Sequence, residues 1–366
     1  MNRSAQRREN LRRILRRAGV DALLVTSQAN VFYLTGFTGD ASALLVGENL
    51  ELVISDGRFT TQLAEECPEL QVELRPPGLT IPQLVGGIVG PLGCRAVAVE
   101  AEHLSVADFA SLQQATTTVS WIPSQGWVEE LRAVKDEQEL RAIREAVAIA
   151  EESFAAVRAE LQGSMNEKEV ADLLDLHMRR RGATGSSFPT IVAVGARSAL
   201  PHARPSPRRH LQEAPFLLID WGADGSPYKS DLTRMIGIGS LTNEFERIYQ
   251  IVLAAQERAI AAIRPGVAAQ DIDAEARKSI EEAGFGDFFG HGLGHGLGIE
   301  IHEMPRLRQQ SNTLLQPGMV VTVEPGIYLP QWGGIRLEDD VLVTDDGREV
   351  LSSIPRGLDS VRLASS

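Results

Sequence analysis

A chain of 366 residues, 43% hydrophobic and 23% charged, has ordinary globular composition. At ~150 residues per domain its length suits two domains. With 36 basic and 49 acidic side chains the formal charge is −13, which excludes nucleic acid and anionic membrane as main partners, because both require clustered positive charge. No run approaches the ~20 apolar residues of a membrane span. The two cysteines, Cys67 and Cys94, make neither a disulfide framework nor a C-x-x-C pair, so a soluble protein of the reducing cytoplasm is expected.

The first 20 residues hold seven arginines and one acid, Glu9. They lack the apolar stretch of a secretory signal. Leu11, Ile14, Leu15 and Ala18 fall at helical spacing and run straight into the strand-like Ala22-Leu23-Leu24-Val25. The segment reads as the first helix of the fold with its arginines on a solvated face, and partner binding as the minor alternative. Beyond it, short apolar runs at 22–26, 43–46, 52–55 and 96–100 read as strands, and 60–66 and 105–114 as helices. This half, residues 1–130, is predicted to be an α/β domain.

A boundary follows near 127–134. Asp136 opens a capping box with Glu139, and Leu140, Ile143, Val147, Ala150, Phe154 and Val157 then recur at helical spacing. The second domain, 131–366, reads as helices at 136–161, 166–181, 242–264 and 268–283, with strand-like segments at 188–194, 215–221, 231–238, 319–324 and 335–343. Hairpins and helices are segregated rather than alternating, which predicts α+β.

Three signals in this half carry chemistry. Asp220 ends the apolar run Phe216-Leu217-Leu218-Ile219 and Asp231 begins Leu232–Ile236, with a turn near 225–226 between them. A hairpin centred there sets the two aspartates opposite each other, where like charges require water or a shared cation. Glu324 and Glu338 repeat the construction about Gln331-Trp332-Gly333-Gly334. Either pair alone reads as readily as a solvated surface pair. Four such acids in one domain core call for positive charge of the size two divalent ions provide. The third signal is His291-Gly292-Leu293-Gly294-His295-Gly296-Leu297-Gly298, with His302 shortly after. Glycine permits close backbone approach, and imidazole beside carboxylates suits first-row metals. No lysine of a phosphate loop follows and no apolar strand precedes, so nucleotide binding is a poor second reading.

The ordered set Asp220, Asp231, His295, Glu324 and Glu338, in the strings Ile219-Asp220-Trp221-Gly222, Ser230-Asp231-Leu232-Thr233-Arg234, Gly294-His295-Gly296, Val323-Glu324-Pro325-Gly326 and Gly334-Ile335-Arg336-Leu337-Glu338, resembles the five-ligand dimetal signature of the pita-bread peptidases. That family includes methionine aminopeptidase, aminopeptidase P and prolidase. Asn30-Val31-Phe32-Tyr33-Leu34-Thr35-Gly36-Phe37 and Asp56-Gly57-Arg58-Phe59 are similar to the creatinase/prolidase amino-terminal domain, which favours the proline-specific branch.

The resemblance implies a pita-bread catalytic domain that binds two divalent metal ions through Asp220, Asp231, His295, Glu324 and Glu338. It implies His202 and His302 as catalytic histidines and Glu324 as the proton shuttle. His202, His291, Arg336 and Tyr328 are the implied substrate-binding residues, and Phe188 is a candidate wall for a proline ring. Four oxygen donors and one nitrogen make a hard site whose first choice is Mn²⁺, with Co²⁺, Fe²⁺ or Zn²⁺ also fitting. The expected activity is hydrolysis of the Xaa-Pro bond at peptide amino termini, and the expected partners are a peptide with proline second and, by analogy, a second copy in a homodimer. Xaa-Pro dipeptidase (prolidase) activity is the near alternative. Metal-free creatinase-like hydrolysis and a non-catalytic peptide-binding module are disfavoured by the intact ligand set. Short loops, with no insertion between His202 and Asp220, lead to the expectation of an open site that takes tripeptides at least as well as dipeptides.

Overall fold

The computed structural model describes residues 3–363. The chain divides into two compact units, Met1–Arg132 and Ala133–Ser366.

The first unit runs α1 (Arg3–Ala18), β1 (Ala22–Val25), α2 (Gln28–Thr35), β2 (Ser42–Gly47), β3 (Leu50–Ser55), α3 (Thr60–Glu66), β4 (Gln71–Leu74), α4 (Ile81–Val89), β5 (Ala96–Glu100), α5 (Val106–Ala115) and β6 (Ser120–Ser124), with α6 (Trp127–Ala133) at its end. Its six-stranded mixed sheet has the order β4-β3-β2-β1-β5-β6. The expected strands are all present. β4 and β6 are additional, and their half-exposed residues carry little apolar signal. Two arginines of α1 depart from expectation. Arg7 and Arg8 are buried, and their guanidinium groups donate to the backbone oxygens of Tyr33 (3.0 Å) and Leu34 (2.8 Å). These are last-turn carbonyls of α2, the negative end of its dipole, so two of the arginines are bound into the fold while Arg3, Arg13, Arg16 and Arg17 form the expected solvated face.

The second unit contains α7 (Glu137–Glu160), α8 (Glu167–Arg180), β7 (Gly185–Ser186), β8 (Ile191–Val194), β9 (Phe216–Trp221), β10 (Ala223–Asp224), β11 (Leu232–Gly237), α9 (Asn243–Ala262) and α10 (Ala269–Glu282). After these come β12 (Gly294–Gly296), β13 (Glu303–Leu307), β14 (Val320–Val323), β15 (Gly326–Leu329), β16 (Gly333–Arg336), β17 (Asp339–Val343), β18 (Arg348–Val350) and α11 (Leu358–Val361). Asp136 caps α7 in a complete capping box with Glu139. The strands form antiparallel sheets in the orders β11-β9-β8 and β13-β12-β14-β17-β18, plus the hairpin β15-β16 and the short pair β10-β7. This is the α+β pita-bread architecture expected of the second half, joined to a creatinase-like α/β first half.

β9 is buried on both faces. Leu217, Ile219 and Trp221 pack with Phe154 and Val157 of α7 and Leu174 of α8, whereas Phe216 and Leu218 pack with Phe245 and Ile248 of α9. Asp220 shares the parity of Phe216 and Leu218, and Asp231 that of Met235, so both aspartates point to the side of the sheet that faces α9. The register corrects one expectation: Asp220 lies opposite Thr233, not Asp231. The connection is a hairpin that closes one position later than expected, at Ser226-Pro227: Asp224 bridges Lys229 and the Gly225 N–H donates to the Tyr228 oxygen at 2.8 Å, while Ala223 and Asp224 also pair with Ser186 and Gly185 of β7. A shift of two residues preserves the face, which keeps the two acids together.

The second acid pair has the expected register. Val323 pairs with Asp339 and Gly326 with Arg336, centring the hairpin on Gln331 and bringing Glu324 and Glu338 to the same level just beyond the β14–β17 ladder. The segment expected as one strand over 335–343 is two, β16 and β17, because Glu338 leaves the hairpin to bridge Thr233 of β11. That bridge sews the two sheets together at the acids. No helix among the described residues is long and apolar enough to cross a membrane.

Phe154 stacks on Trp221 with ring centroids 4.4 Å apart, and the Trp221 indole N–H donates to the backbone oxygen of Ala150 at 3.0 Å. Phe154→Ala leaves a void directly behind Asp220 and is expected to lower unfolding stability by about 3–5 kcal/mol, read from the denaturant midpoint at unchanged slope.

Candidate metal centre and peptide pocket

The second unit contains a cavity of about 550 Å³. His202, Asp220, Asp231, His291, His295, His302, Glu324, Arg336 and Glu338 all line it, as does Phe188. Of the expected site residues, Tyr328 alone stands outside the lining, behind His291 and Arg336. Strand ends supply most of the set: Asp220 near the end of β9, Asp231 just before β11, Glu324 just after β14 and Arg336 at the end of β16. His295 sits in the middle of β12 between two glycines that the backbone requires. A Cβ on Gly294 would come within 2.1 Å of the Thr322 oxygen, and one on Gly296 within 2.1 Å of the Met304 oxygen. β12 is thereby pressed against β13 and β14, which brings the imidazole down to the acids.

Asp220, Asp231 and Glu338 are buried, and Glu324 is partly so. Loss of water raises the Asp220 carboxyl above the usual carboxylate range against the pull of Arg336. Asp231 and Glu338 are pushed far above that range, by burial first and then by their acidic neighbours. Glu324 is pushed up to about 8 by burial, Arg336 opposing and Asp220 adding. Burial acts the opposite way on the imidazoles, depressing His295 to about 3 and His291 to about 4.

Arg336 organises one wall. Its guanidinium donates to Asp220 Oδ2 (2.5 Å), Tyr328 Oη (2.8 Å) and Thr233 Oγ1 (3.1 Å), and Thr233 in turn donates to Glu338 Oε2 (2.6 Å). Desolvation works against its charge, yet Tyr328, Asp220 and Glu324 raise its pKa well above the ordinary value. Tyr328 Oη lies 2.9 Å from His291 Nε2, and His291 Nδ1 lies 2.7 Å from the Gly292 oxygen. That pattern assigns the His291 proton to Nδ1 and makes Tyr328 the donor to Nε2. Arg336 is thus committed to Asp220 and Tyr328.

The donor set suits cations. His295 Nδ1 faces the Gly296 oxygen at 3.1 Å, which leaves the Nε2 lone pair aimed at Asp231 Oδ2 (3.6 Å) and Glu324 Oε1 (3.5 Å). A neutral nitrogen lone pair confronting carboxylate oxygens is repulsive unless a cation lies between them. One ligand atom each from Asp231, His295 and Glu338 falls within a 4.8 Å cluster, and Asp220 Oδ1 is buried without a hydrogen-bond partner. The residues present therefore fit divalent metal binding. Around them, Asp340 accepts from the Asp231 backbone N–H at 3.1 Å, and Arg234 donates to the Glu338 oxygen at 2.6 Å and to Asp339 at 2.7 Å.

Sequence reasoning missed Arg306. It lies across the β12–β13 ladder from His295 and lines the cavity with Arg308 and Arg204. The alternation Pro305-Arg306-Leu307-Arg308 was the available signal. Without knowing that 303–307 pairs with the His295 strand, nothing placed those arginines near the site. His295 and His302 also meet edge to face, with ring centroids 4.4 Å apart.

Comparison with known proteins agrees with this geometry. The model of metallopeptidase family M24 matches residues 141–345, and that of the creatinase/prolidase N-terminal domain matches residues 7–134. A Xaa-Pro dipeptidase of Pyrococcus furiosus is 34% identical over 358 residues, covering 96% of this chain and 99% of that one. Among solved structures, a Xaa-Pro dipeptidase from Bacillus anthracis superposes with a TM-score of 0.93 at 37% identity, covering 98% of this chain and 100% of that one. An X-Pro aminopeptidase from Thermotoga maritima gives 0.86 at 38% identity, covering 94% and 99%. The chain belongs to metallopeptidase family M24, with a creatinase/prolidase N-terminal domain ahead of its catalytic domain.

Proposed function

We propose that this protein is a Xaa-Pro dipeptidase, in place of the aminopeptidase reading that the short loops suggested. The observation that carries it is Arg306, a half-buried guanidinium across the strand from His295, with no hydrogen bond or ion pair to another described residue. Burial, then repulsion from Arg308, lowers its pKa, so its charge is under-compensated where it stands. A free α-carboxylate directly after proline is the matching anion, and a planar guanidinium pairs with it bidentately. The dipeptidases among the relatives support the same reading.

Asp220, Asp231, His295, Glu324 and Glu338 would hold two divalent cations, Mn²⁺ being the first choice for four oxygen donors and one nitrogen. When bound, such ions supply Lewis acidity, acidifying water and polarising the scissile carbonyl. Glu324, steadied by the Thr322 hydroxyl at 3.3 Å, takes the proton of the attacking water and delivers it to the leaving proline nitrogen. That nitrogen is a tertiary amide with no N–H to recognise, so shape must orient it. Phe188 and Ile191 give the cavity its apolar side. His302 and His202 stand at the pocket as donors for charge developing on the carbonyl oxygen.

Three outcomes test this. First, kcat/KM for Ala-Pro is expected to exceed that for Ala-Pro-Ala by more than about tenfold, ~1.4 kcal/mol of transition-state discrimination, and a tripeptide cleaved equally well returns the protein to the aminopeptidase class. Second, Asp231→Asn should lose metal in elemental analysis after gel filtration while its far-ultraviolet dichroism stays native; full occupancy in that variant refutes the ligand assignment. Third, His302→Ala and His202→Ala should each keep metal and fold but lose about 10²–10³ in kcat, the usual size of a lost transition-state hydrogen bond.

A further inference from the structure

The pocket carries more positive charge than one carboxylate needs. Arg204, Arg306 and Arg308 all line it, and none makes a side-chain hydrogen bond or ion pair with another described residue. Arg306 lies on β13 and Arg308 just past its end, both line the cavity, and their mutual repulsion is one of the causes that lower the Arg306 pKa, with Glu300 giving partial relief. The acids of the pocket are otherwise committed, Asp220 to Arg336 and all four to the cation site described above. In a chain of net charge −13 this local surplus of cations runs against the overall sign, so it does not follow from composition.

We propose that the site selects Xaa-Pro dipeptides whose first residue is acidic, the second carboxylate being received by the exposed arginines Arg204 and Arg308. This rests on the dipeptidase reading, in which Arg306 takes the α-carboxylate. A neutral Xaa-Pro dipeptide is a zwitterion that brings one carboxylate, so it leaves the remaining guanidinium charges facing one another. Asp-Pro and Glu-Pro bring a second anion on a side chain of two to three bonds' reach. Lys-Pro and Arg-Pro add a like charge and are disfavoured. Because Arg204 and Arg308 are solvent-exposed, each contributes only about 1.5- to 5-fold, and salt weakens the effect.

The comparison is Glu-Pro against its isostere Gln-Pro, in the metal-loaded full-length enzyme and in the double variant Arg204→Gln, Arg308→Gln. At low ionic strength the wild-type kcat/KM ratio, Glu-Pro over Gln-Pro, should exceed about threefold, shrink as salt is raised, and fall towards one in the double variant. Calorimetric affinities for the two non-hydrolysable analogues, with CH2–N in place of the amide, should show the same ratio and the same loss. A ratio below about threefold in both measurements, or a larger one that the double variant leaves unchanged, overturns the proposal. Should neither dipeptide turn over while the analogues keep their affinity ratio, the dipeptidase reading falls and the anion preference stands.

Discussion

Four carboxylates gathered within one antiparallel framework, three of them buried and Glu324 partly so, set the terms for everything around them. Burying a charged carboxylate costs several kcal/mol unless partners replace the lost water, and four such groups also repel one another. The fold meets this in two ways. Arg336 is buried beside Asp220 with its charge reinforced by Tyr328, and the His295 lone pair and the Asp220 oxygen that has no partner converge where a cation would sit. In a metallopeptidase that unmet charge is the source of metal affinity, because the binding energy of the ions offsets the strain of assembling the acids.

The framework accordingly concentrates rigidity at this point. The Thr233–Glu338 bridge ties the sheet β11-β9-β8 to the β14–β17 ladder, and Arg234 clamps the same junction through the Glu338 oxygen and Asp339. Gln256 of α9 donates to Asp339 from beneath, and Asp340 holds the backbone of Asp231. These residues touch no reacting atom, yet they fix the angles at which the donors point. A site built on strand ends and held by buried hydrogen bonds pays its ordering entropy at folding, before any substrate arrives.

The electrostatics of the pocket divide by depth. Its floor is acidic and awaits cations, whereas its rim carries Arg204, Arg306 and Arg308. On the proposed reading, opposite signs at floor and rim orient a dipeptide with its scissile carbonyl at the floor and its carboxylate above. On the dipeptidase reading proposed above, the same arginines would do what an inserted lid does elsewhere, since discriminating against longer peptides requires charge at one place.

Much of this was legible in the sequence because its signals are local. The capping box at Asp136, the alternating apolar faces and the two acid pairs each depend on residues close in the chain, and the Glu324/Glu338 register followed from the short turn between Leu329 and Gly333. Reading the strings around Asp220, Asp231, His295, Glu324 and Glu338 as one family's signature located the catalytic half. Three features needed the tertiary structure. The Asp220 register moved by two residues because the turn closes at Ser226-Pro227, one position later than expected, in a hairpin whose strand β10 is also held by β7, some forty residues away. Arg7 and Arg8 of α1 turned inward because α2 presents unpaired carbonyls, a demand written in another helix. Arg306 became a site residue because β13 pairs with β12, where glycines allow the backbones to close. Short-range pattern fixes which residues share a face, but which faces meet is decided by long-range pairing, whose energy appears only once the chain has folded back on itself.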